Sequence, residues 1–387
     1  MKIVIAMDSF KGSMTSMEAG LAAGEGVRKV FPEAEIIIRP LADGGEGTME
    51  ALLEGLGGEM ISVRVSDPLG RKIPAKYVLL TGRAGEKTAV IEMAQAAGLT
   101  LLAVGERDPY KTTTYGVGEM INHALDRGSR DFLVGIGGSA TNDGGMGMLQ
   151  ALGYRFFDEY GDEIPGENID TSVNGGAKLL EHVKKICGKH ARKELGECSF
   201  RIACDVTNPL CGERGATYVY GLQKGLAAAN LSEVDKAMSA YADAVARYAG
   251  NDSRNVPGAG AAGGMGFAFM SFLGAKLMPG AELVMQTTDL EKELSEADLF
   301  LTGEGRIDAQ TAMGKAPMAA AQLAKEKNPK CRVLAFAGQV SPEAENCRGS
   351  VFDEIHRITP EDMPIEQAMQ NEIAKENMTK AVEENIV

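Results

Sequence analysis

Residues 131–153 read DFLVGIGGSATNDGGMGMLQALG, and the order of residue types in this stretch predicts a strand, a loop and a helix. Apolar side chains fill most of 132–136, as in a buried parallel strand. Six glycines fall within 135–147, and apolar residues recur at helical spacing over 148–152. A glycine-rich loop between a strand and a helix presents backbone N–H groups and a helix N-terminus, which bind anions. The stretch therefore predicts an α/β fold with a phosphate-binding loop.

Other interpretations of this loop are weaker. A turn that only joins two elements would not need the polar groups of Ser139 and Asp143. The loop lacks the G-x-x-x-x-G-K-[ST] pattern of a Walker A motif. Residues 135–140 fit a loose dinucleotide-binding pattern, but no acidic ribose partner follows about 20 residues later in a second clear strand. A second G-x-G-x-x-G, within 258–266, follows a proline rather than a strand and predicts tight packing or another loop of the same cleft.

The residues nearest the N-terminus predict two βα units. Residues 2–7 form an apolar run, and Thr15 with Glu18 fits a capping box that opens a helix ended by Pro32. Its predicted apolar face comprises Met17, Leu21, Gly24, Val27 and Phe31. A second strand is predicted over 36–38, followed by the polar loop 40–48 and a helix near 49–53. Each unit therefore has a polar loop where open α/β sheets bind ligands.

The middle of the chain has a different pattern. Alternating residues around a turn at 67–70 predict an antiparallel hairpin. The predicted elements that follow are a strand over 88–93, a helix within 112–127, a strand over 201–204 and a helix over 231–249; 155–197 is predicted to be irregular. Strands return at 298–302, 332–336 and 351–355, with a helix over 316–327, a loop over 303–315 and helical spacing in the tail.

These elements predict an α/β protein of two domains. Two N-terminal and three C-terminal strands make five, the number in a flavodoxin-like doubly wound parallel sheet. The expected flavodoxin-like domain is discontinuous, residues 1–60 and 286–387, with an inserted second α/β domain over 61–285 that contains a mixed sheet. We expect the active site in the cleft between the domains, a usual place for a ligand.

Composition excludes several classes of partner. The 387 residues are 44% hydrophobic and 24% charged, as in globular proteins, with a formal net charge of −14. This charge argues against nucleic acid or an anionic membrane as a partner. No apolar run approaches the roughly 20 residues of a membrane span, and the first apolar run is too short for a signal peptide, so we expect a cytoplasmic protein. The cysteines and histidines show no zinc-ligand spacing.

Five polar loops carry the residues suited to phosphate chemistry: 8–13, 43–48, 137–145, 205–212 and 303–315. Carboxylates beside glycines suit Mg²⁺ held next to phosphate, because Mg²⁺ prefers hard oxygen ligands. Lysine and arginine stabilise the charge of a transferring phosphoryl group. Any one of these residues could instead cap a helix or face solvent, so the prediction rests on their repetition at strand ends.

Several longer motifs identify a family. They are MKIVIAMDSFKGS, PLADGGEGT, DPLGR, GIGGSATNDGG, ACDVTNPLCG, GLQKG, GAGAAGGMG and LTGEGRID with QTAMGK beyond. On these motifs the chain resembles the bacterial type-1 glycerate kinases nearly end to end. The resemblance implies transfer of the ATP γ-phosphate to a hydroxyl of D-glycerate with Mg²⁺, and a flavodoxin-like domain with an inserted α/β domain. The family usually has proline where this chain has Met7 and Leu222.

Residue chemistry suggests a role for each candidate. The catalytic candidates are Asp8, Lys11 and Asp143, with Asp8 or Asp143 orienting or deprotonating the attacking hydroxyl. The substrate-binding candidates are Ser9, Arg71 and Asp43, with Arg71 or Lys11 pairing with the substrate carboxylate. The ATP- and phosphate-binding candidates are Gly44, Gly45, Gly137, Gly138, Ser139, Thr141 and Lys315. The metal candidates, binding directly or through water, are Asp205, Glu304 and Asp308.

Alternatives stay open at this point. The product could be 3-phosphoglycerate, although the resemblance favours 2-phosphoglycerate. The acceptor could be another small hydroxy acid, such as hydroxypyruvate or tartronate. Two hypotheses come from other functional classes: a non-catalytic organic-acid sensor and an NAD-dependent oxidoreductase. The sequence also leaves the oligomeric state, including a homo-oligomer, and the pathway undetermined.

Overall fold

The computed structural model describes residues 1–82, 84–164, 176–308, 311, 315–342 and 351–387. Within these ranges the strands, in chain order, are β1 (Lys2–Met7), β2 (Glu35–Ile38), β3 (Glu59–Ser66), β4 (Lys72–Thr81), β5 (Lys87–Glu92), β6 (Asp131–Gly135), β7 (Arg155–Phe157), β8 (Lys185–Cys187), β9 (Ser199–Ala203), β10 (Lys276–Met278), β11 (Leu299–Ile307), β12 (Arg332–Val340) and β13 (Glu354–Arg357). Most of the QTAMGK motif lies outside the described residues, apart from Thr311 and Lys315.

The α-helices of the same ranges are α1 (Ser16–Val30), α2 (Thr48–Leu56), α3 (Ala94–Ala97), α4 (Tyr115–Asp126), α5 (Met146–Ala151), α6 (Ala216–Tyr220), α7 (Leu231–Ala249), α8 (Met265–Leu273), α9 (Gly280–Thr287), α10 (Leu290–Ser295), α11 (Ala316–Lys327), α12 (Ile365–Ala368) and α13 (Asn371–Asn385). Short 3₁₀ turns occur at Leu99–Leu101, Val104–Glu106, Gly176–His182, Lys193–Glu197, Leu222–Lys224, Ala228–Asn230 and Ala261–Gly263. None of the described helices is long and apolar enough to cross a membrane.

The chain divides into two compact units, residues 1–57 with 279–387 and residues 58–278. The first unit contains a five-stranded parallel sheet in the order β13-β12-β11-β1-β2. Counted along this unit, the order is 2-1-3-4-5, that of the flavodoxin-like fold. The structure therefore confirms the predicted fold class.

Both faces of this sheet are covered by helices, because successive strand residues point to opposite sides. Ile3 and Ile5 of β1 belong to a core formed with α1 and α13. Val4 and Ala6 belong to a second core formed with α10 and α11. The doubly wound arrangement buries both faces and leaves the strand ends for a site.

Helix α1 begins as predicted, but only part of its predicted apolar face is buried. The Thr15 hydroxyl accepts from the Glu18 N–H at 3.2 Å, and the Glu18 carboxylate accepts from the Thr15 N–H at 2.9 Å. Leu21, which the sequence placed on the apolar face, is 55% exposed. The helix instead buries mainly small residues, among them Gly20, Gly24 and Gly26. The predicted face is confirmed at Gly24 and Val27 and wrong at Leu21, because the burial of the other small residues left no periodic signal in the sequence.

The second unit contains a six-stranded mixed sheet in the order β10-β9-β6-β5-β4-β3. Strands β3 and β4 form the predicted antiparallel hairpin, and β5, β6, β9 and β10 run parallel. The region predicted to be irregular contains a small antiparallel sheet of β7 and β8. Its strands are three residues each, too short for a periodic signal, and they pair the buried side chains of Phe156 and Ile186.

Strand β11 is longer than predicted, so Glu304 and Arg306 lie in a strand rather than in a loop. Pairing with β12 continues to Ile307, and Glu304 lies opposite Ala337. Gly303 is required by this close pairing, since a Cβ there would lie 2.0 Å from the Phe336 carbonyl oxygen. Glycines and charged residues suggested a loop, but the neighbouring strand determines the conformation.

Candidate active site

A cavity of about 350 Å³ lies in the first unit, at the carboxyl ends of its parallel strands. Residues after β1, within β11 and β12, and after β13 line it, the edge where open α/β sheets bind ligands. One part of the wall is charged; it comprises Asp8, Lys11, Asp43, Glu304, Arg306, Asp308 and Lys315. Another part is apolar; it comprises Phe10, Ile358, Ile365, Ala368, Met369 and Ala374. Seven of the predicted site residues thus line one cavity: Asp8, Ser9, Lys11, Asp43, Glu304, Asp308 and Lys315.

Asp8 is the most perturbed carboxylate of this cavity. Its backbone N–H donates to the Gly303 carbonyl at 2.8 Å, which fixes the residue at the end of β1. Burial raises the pKa of Asp8 to about 7, opposed by a hydrogen bond from the Ser9 N–H. The charges of Asp43 and Glu304 raise the pKa further, and Lys11 lowers it. A carboxylate with a pKa near neutrality can accept a proton during turnover.

Glu304 of β11 and Lys315, just before α11, form a partly buried pair. The Glu304 carboxylate accepts from the Thr311 hydroxyl at 2.7 Å and lies 3.3 Å from the Lys315 ammonium. Burial raises the pKa of Glu304, against the opposing effects of Thr311 and Lys315. Lys315 also lies 3.9 Å from Asp308, whose carboxylate is 3.5 Å from Arg306. The structure therefore brings carboxylates and cations together at this strand end.

The loop after β2 supplies Asp43, Gly44 and Gly45. The Asp43 carboxylate accepts from the Gly45 N–H at 2.9 Å, and Gly44 has a φ of +83°, which favours glycine. Gly280 packs against this loop, since a Cβ there would lie 1.8 Å from the Asp43 carbonyl oxygen. Asp43 and Gly45 also line a second cavity of about 650 Å³, which shares Asp8 and Lys11 with the first.

In the second unit, the 137–145 loop is held by its own side chains. Asp143 is buried and accepts from the Thr114 N–H and hydroxyl at 2.9 and 2.8 Å. It also accepts from the N–H groups of Gly145 and Gly147 at the start of α5. Burial raises the pKa of Asp143, and these hydrogen bonds oppose the shift. All four bonds come from its own unit, so Asp143 anchors the loop to α5; its predicted catalytic role stays a prediction.

Lys224 is a polar residue of this loop's surroundings that the sequence analysis missed. It is fully buried, and its ammonium donates to the Ser139 hydroxyl at 2.8 Å and to the Thr141 carbonyl at 2.7 Å. Burial lowers the pKa of Lys224 to about 7, and the charge of Asp143 opposes the shift. The GLQKG motif contained this lysine, but nothing in the sequence indicated its burial.

The remaining predicted residues have other surroundings. The Arg71 guanidinium, half-exposed, pairs with Asp67 and lies 2.7 Å from Glu106. Asp205 belongs to the second unit, whereas Glu304 and Asp308 belong to the first. Within the described ranges, no group of three or more His, Cys, Asp and Glu side chains could hold a metal ion. A preformed three-carboxylate metal cage is therefore not present in that part of the chain.

Comparisons with known proteins assign the chain to a family. The sequence model of the Glycerate kinase family matches residues 3–387. A glycerate kinase from Halalkalibacterium halodurans is 43% identical over 368 residues, 95% of this chain and 93% of that protein. A glycerate 2-kinase from Escherichia coli K12 is 44% identical over 344 residues, 89% of this chain and 86% of that protein.

A solved structure agrees with these sequence relatives. It is described as "Crystal structure of putative glycerate kinase 2 from Salmonella typhimurium LT2". Its TM-score is 0.87 at 41% sequence identity, and the match covers 99% of this chain and 96% of that chain. Sequence and fold agree over nearly the full length, and the chain therefore belongs to the glycerate kinase family, a family of kinase enzymes.

Proposed function

We propose that this enzyme transfers the γ-phosphoryl group of ATP to D-glycerate and forms 2-phospho-D-glycerate. One observation carries the proposal: Asp8, with a pKa near 7, faces a cavity that Lys11, Arg306 and Lys315 also line. A base near neutrality beside several cations suits phosphoryl transfer to a hydroxyl. A relative named glycerate 2-kinase supports the 2-position.

In the proposed reaction, Asp8 accepts the proton of the attacking hydroxyl. The hydroxyl oxygen forms a bond to the γ-phosphorus, the bond to the bridging oxygen breaks, and ADP leaves. Lys11 and Lys315 stabilise the negative charge of the phosphates as it is redistributed. Lys315 can do so because Glu304 and Asp308 hold its ammonium at the cavity wall.

The remaining roles are proposed from residue chemistry. Ser9 and Asp43 would bind the hydroxyls of the acid, and Lys11 or Arg71 its carboxylate. The backbone amide of Gly44 would bind phosphate in the loop before α2; the Gly45 amide donates to the Asp43 carboxylate, and its phosphate-binding role stays a prediction. The phosphate-binding roles of Gly137, Gly138, Ser139 and Thr141, and the alternative base Asp143, stay predictions.

Magnesium fits the donor set of this cavity as an ion that arrives with the nucleotide. In phosphoryl-transfer sites Mg²⁺ usually takes one or two carboxylates, with waters and phosphate oxygens completing its shell. Glu304 and Asp308 supply hard oxygen donors of this kind at the cavity wall. Bound there, the ion would neutralise charge on the nucleotide phosphates; Asp205 stays a predicted third ligand.

The test is ADP release with ATP, Mg²⁺ and a panel of acids, followed by ³¹P NMR of the product. We expect D-glycerate to be the preferred acceptor and 2-phosphoglycerate the product. Asp8→Asn should lower kcat/KM on the order of 100-fold, because a transition-state proton acceptor is lost. The matched control is Asp362→Asn, because Asp362 is exposed and lines neither of the two cavities of the first unit.

Other outcomes contradict specific parts of the proposal. A 3-phosphoglycerate product overturns the position of transfer. Faster turnover of hydroxypyruvate or tartronate overturns the choice of acceptor. Glycerate binding without glycerate-dependent ATP turnover favours the hypothesis of a non-catalytic sensor. Normal activity of Asp8→Asn shows that Asp8 is not the base.

A further inference from the structure

We infer that the apolar part of the first unit's cavity binds the purine base of the phosphoryl donor. This inference rests on the proposed function and deepens it by locating the nucleotide within one described site. We call the wall formed by Phe10, Ile358, Ile365, Ala368 and Met369 the base pocket.

The cavity has two chemically different walls. The charged wall carries Lys11, Arg306 and Lys315 and suits phosphates. The base pocket offers only apolar side chains, which a three-carbon hydroxy acid cannot use because nearly all of its surface is polar. A nucleotide has both features, a flat heteroaromatic ring at one end and phosphates at the other. The cavity's volume of about 350 Å³ is also of the size that binds drug-sized ligands.

Two side chains of the base pocket are large, apolar and about half exposed. Ile365 begins α12 and is 50% exposed, and Met369 follows α12 and is 42% exposed. Phe10 and Ile358, which line the same cavity, are buried. Exposed and buried apolar side chains in one cavity wall offer a surface that a flat ring can cover, and methionine adapts readily to aromatic rings.

The base pocket is continuous with the catalytic loop. Gly12 belongs to the loop that carries Asp8 and Lys11, and a Cβ on Gly12 would lie 3.1 Å from the Met369 methyl group. Gly12 has a φ of +79°, which favours glycine at this approach. Thr359 and the Gly338–Gln339 segment line the same cavity and supply polar groups for the edge of a base. One loop thus joins the proposed phosphate and base regions.

The experiment separates the base from the phosphates. Inhibition by ADP and by inorganic tripolyphosphate is measured against ATP for Ile365→Asn, Met369→Asn and the double variant. These substitutions add no charge, and the residues are exposed enough for the fold to be kept. Met369→Leu restores apolar surface, and Leu21→Asn is a matched control at an exposed leucine of α1 that lines neither cavity.

We expect the double variant to weaken ADP about tenfold, since losing the apolar cover of a stacked base costs of that order. Tripolyphosphate inhibition and the KM for D-glycerate should stay within about twofold, and Met369→Leu should resemble the unchanged enzyme. Equal weakening of ADP and tripolyphosphate, unchanged ADP inhibition, or a raised KM for D-glycerate alone overturns the inference.

Calorimetric titration of ADP keeps this test independent of the acceptor. Should the unchanged protein bind ADP but give no glycerate-dependent turnover, the proposed function fails, and the variants still decide the base pocket. Should the unchanged protein not bind ADP, the inference itself is overturned.

Discussion

At the scale of single residues, Lys224 shows how burial determines protonation. A buried ammonium loses its hydration, and two neutral acceptors, the Ser139 hydroxyl and the Thr141 carbonyl, replace only part of it. Its pKa of about 7 lies far below the value of about 10.4 expected in the unfolded chain. Between these values the unfolded chain binds more protons than the folded protein.

This difference predicts a pH dependence of stability. Because the unfolded state binds the extra proton, the free energy of unfolding should rise with pH from about 7 towards 10. Lys224→Met removes the group and should flatten that rise. Urea unfolding at pH 7, 8 and 9 measures the slope, with the exposed Lys236→Met as control. An unchanged slope in Lys224→Met would show that Lys224 does not titrate in this window.

Sequence reasoning could find the residue types of the site but not their surroundings. Asp8 and Asp143 look alike in sequence, each an aspartate after a strand with glycines nearby. In the structure, Asp8 lines a cavity, whereas Asp143 accepts four hydrogen bonds from its own unit. Arg71 could be predicted as a cation for the substrate carboxylate, but its ion pairs with Asp67 and Glu106 could not be predicted. Hydrogen-bond partners depend on the fold.

At the scale of elements, the contact of α1 with α13 depends on the absence of side chains. A Cβ on Gly26 would lie 2.5 Å from the Thr379 carbonyl oxygen and 2.9 Å from Val382. Backbone cannot move aside as a flexible side chain can. Glycine here thus permits close packing of two helices, which outweighs its low helix propensity.

Gly26→Ala should therefore destabilise the protein, by about 1–3 kcal/mol, although alanine favours an isolated helix. Urea unfolding of the full chain measures the change. Glu25→Ala, the exposed neighbour on α1, provides the control and should change stability by less than about 0.5 kcal/mol. A stability gain in Gly26→Ala would mean that the helices separate without cost.

Elements set by local sequence signals could be predicted, whereas features set by contacts with other elements could not. The start of α1 followed from Thr15 and Glu18, because a capping box is a local signal. The extension of β11 to Ile307 did not, because its partner β12 is distant in sequence. The burial of Gly20 and Gly26 on α1 was missed for the same reason: α13, which packs on this helix, comes more than 300 residues later.

At the scale of the molecule, the sheet order brings sequence-distant carboxylates to one cavity. Asp8 and Asp43 follow β1 and β2, Glu304 lies within β11, and all three line the same cavity. The predicted domain limits were 60/61 and 285/286, and the two compact units divide at 57/58 and 278/279. A site shared by the two units stays a prediction. The fold could be predicted because the number of strands and the polar loops that follow them can be read directly from the sequence. The pKa of a site residue could not be predicted, because it depends on the groups that the folded chain places around it.

The pH dependence of kcat/KM for D-glycerate tests the central claim. This claim is that Asp8 is the catalytic base and that the charged side chains of the same cavity set its pKa. Activity should rise with pH through about 7, because the deprotonated carboxylate is the active form. Asp43→Asn should move this midpoint to lower pH and Lys11→Met to higher pH, since Asp43 raises and Lys11 lowers the pKa of Asp8. The ionisation of ATP is common to all variants, so the difference between midpoints reports the protein group. Opposite shifts of the two variants are the predicted result, and a midpoint that neither substitution moves would contradict the account.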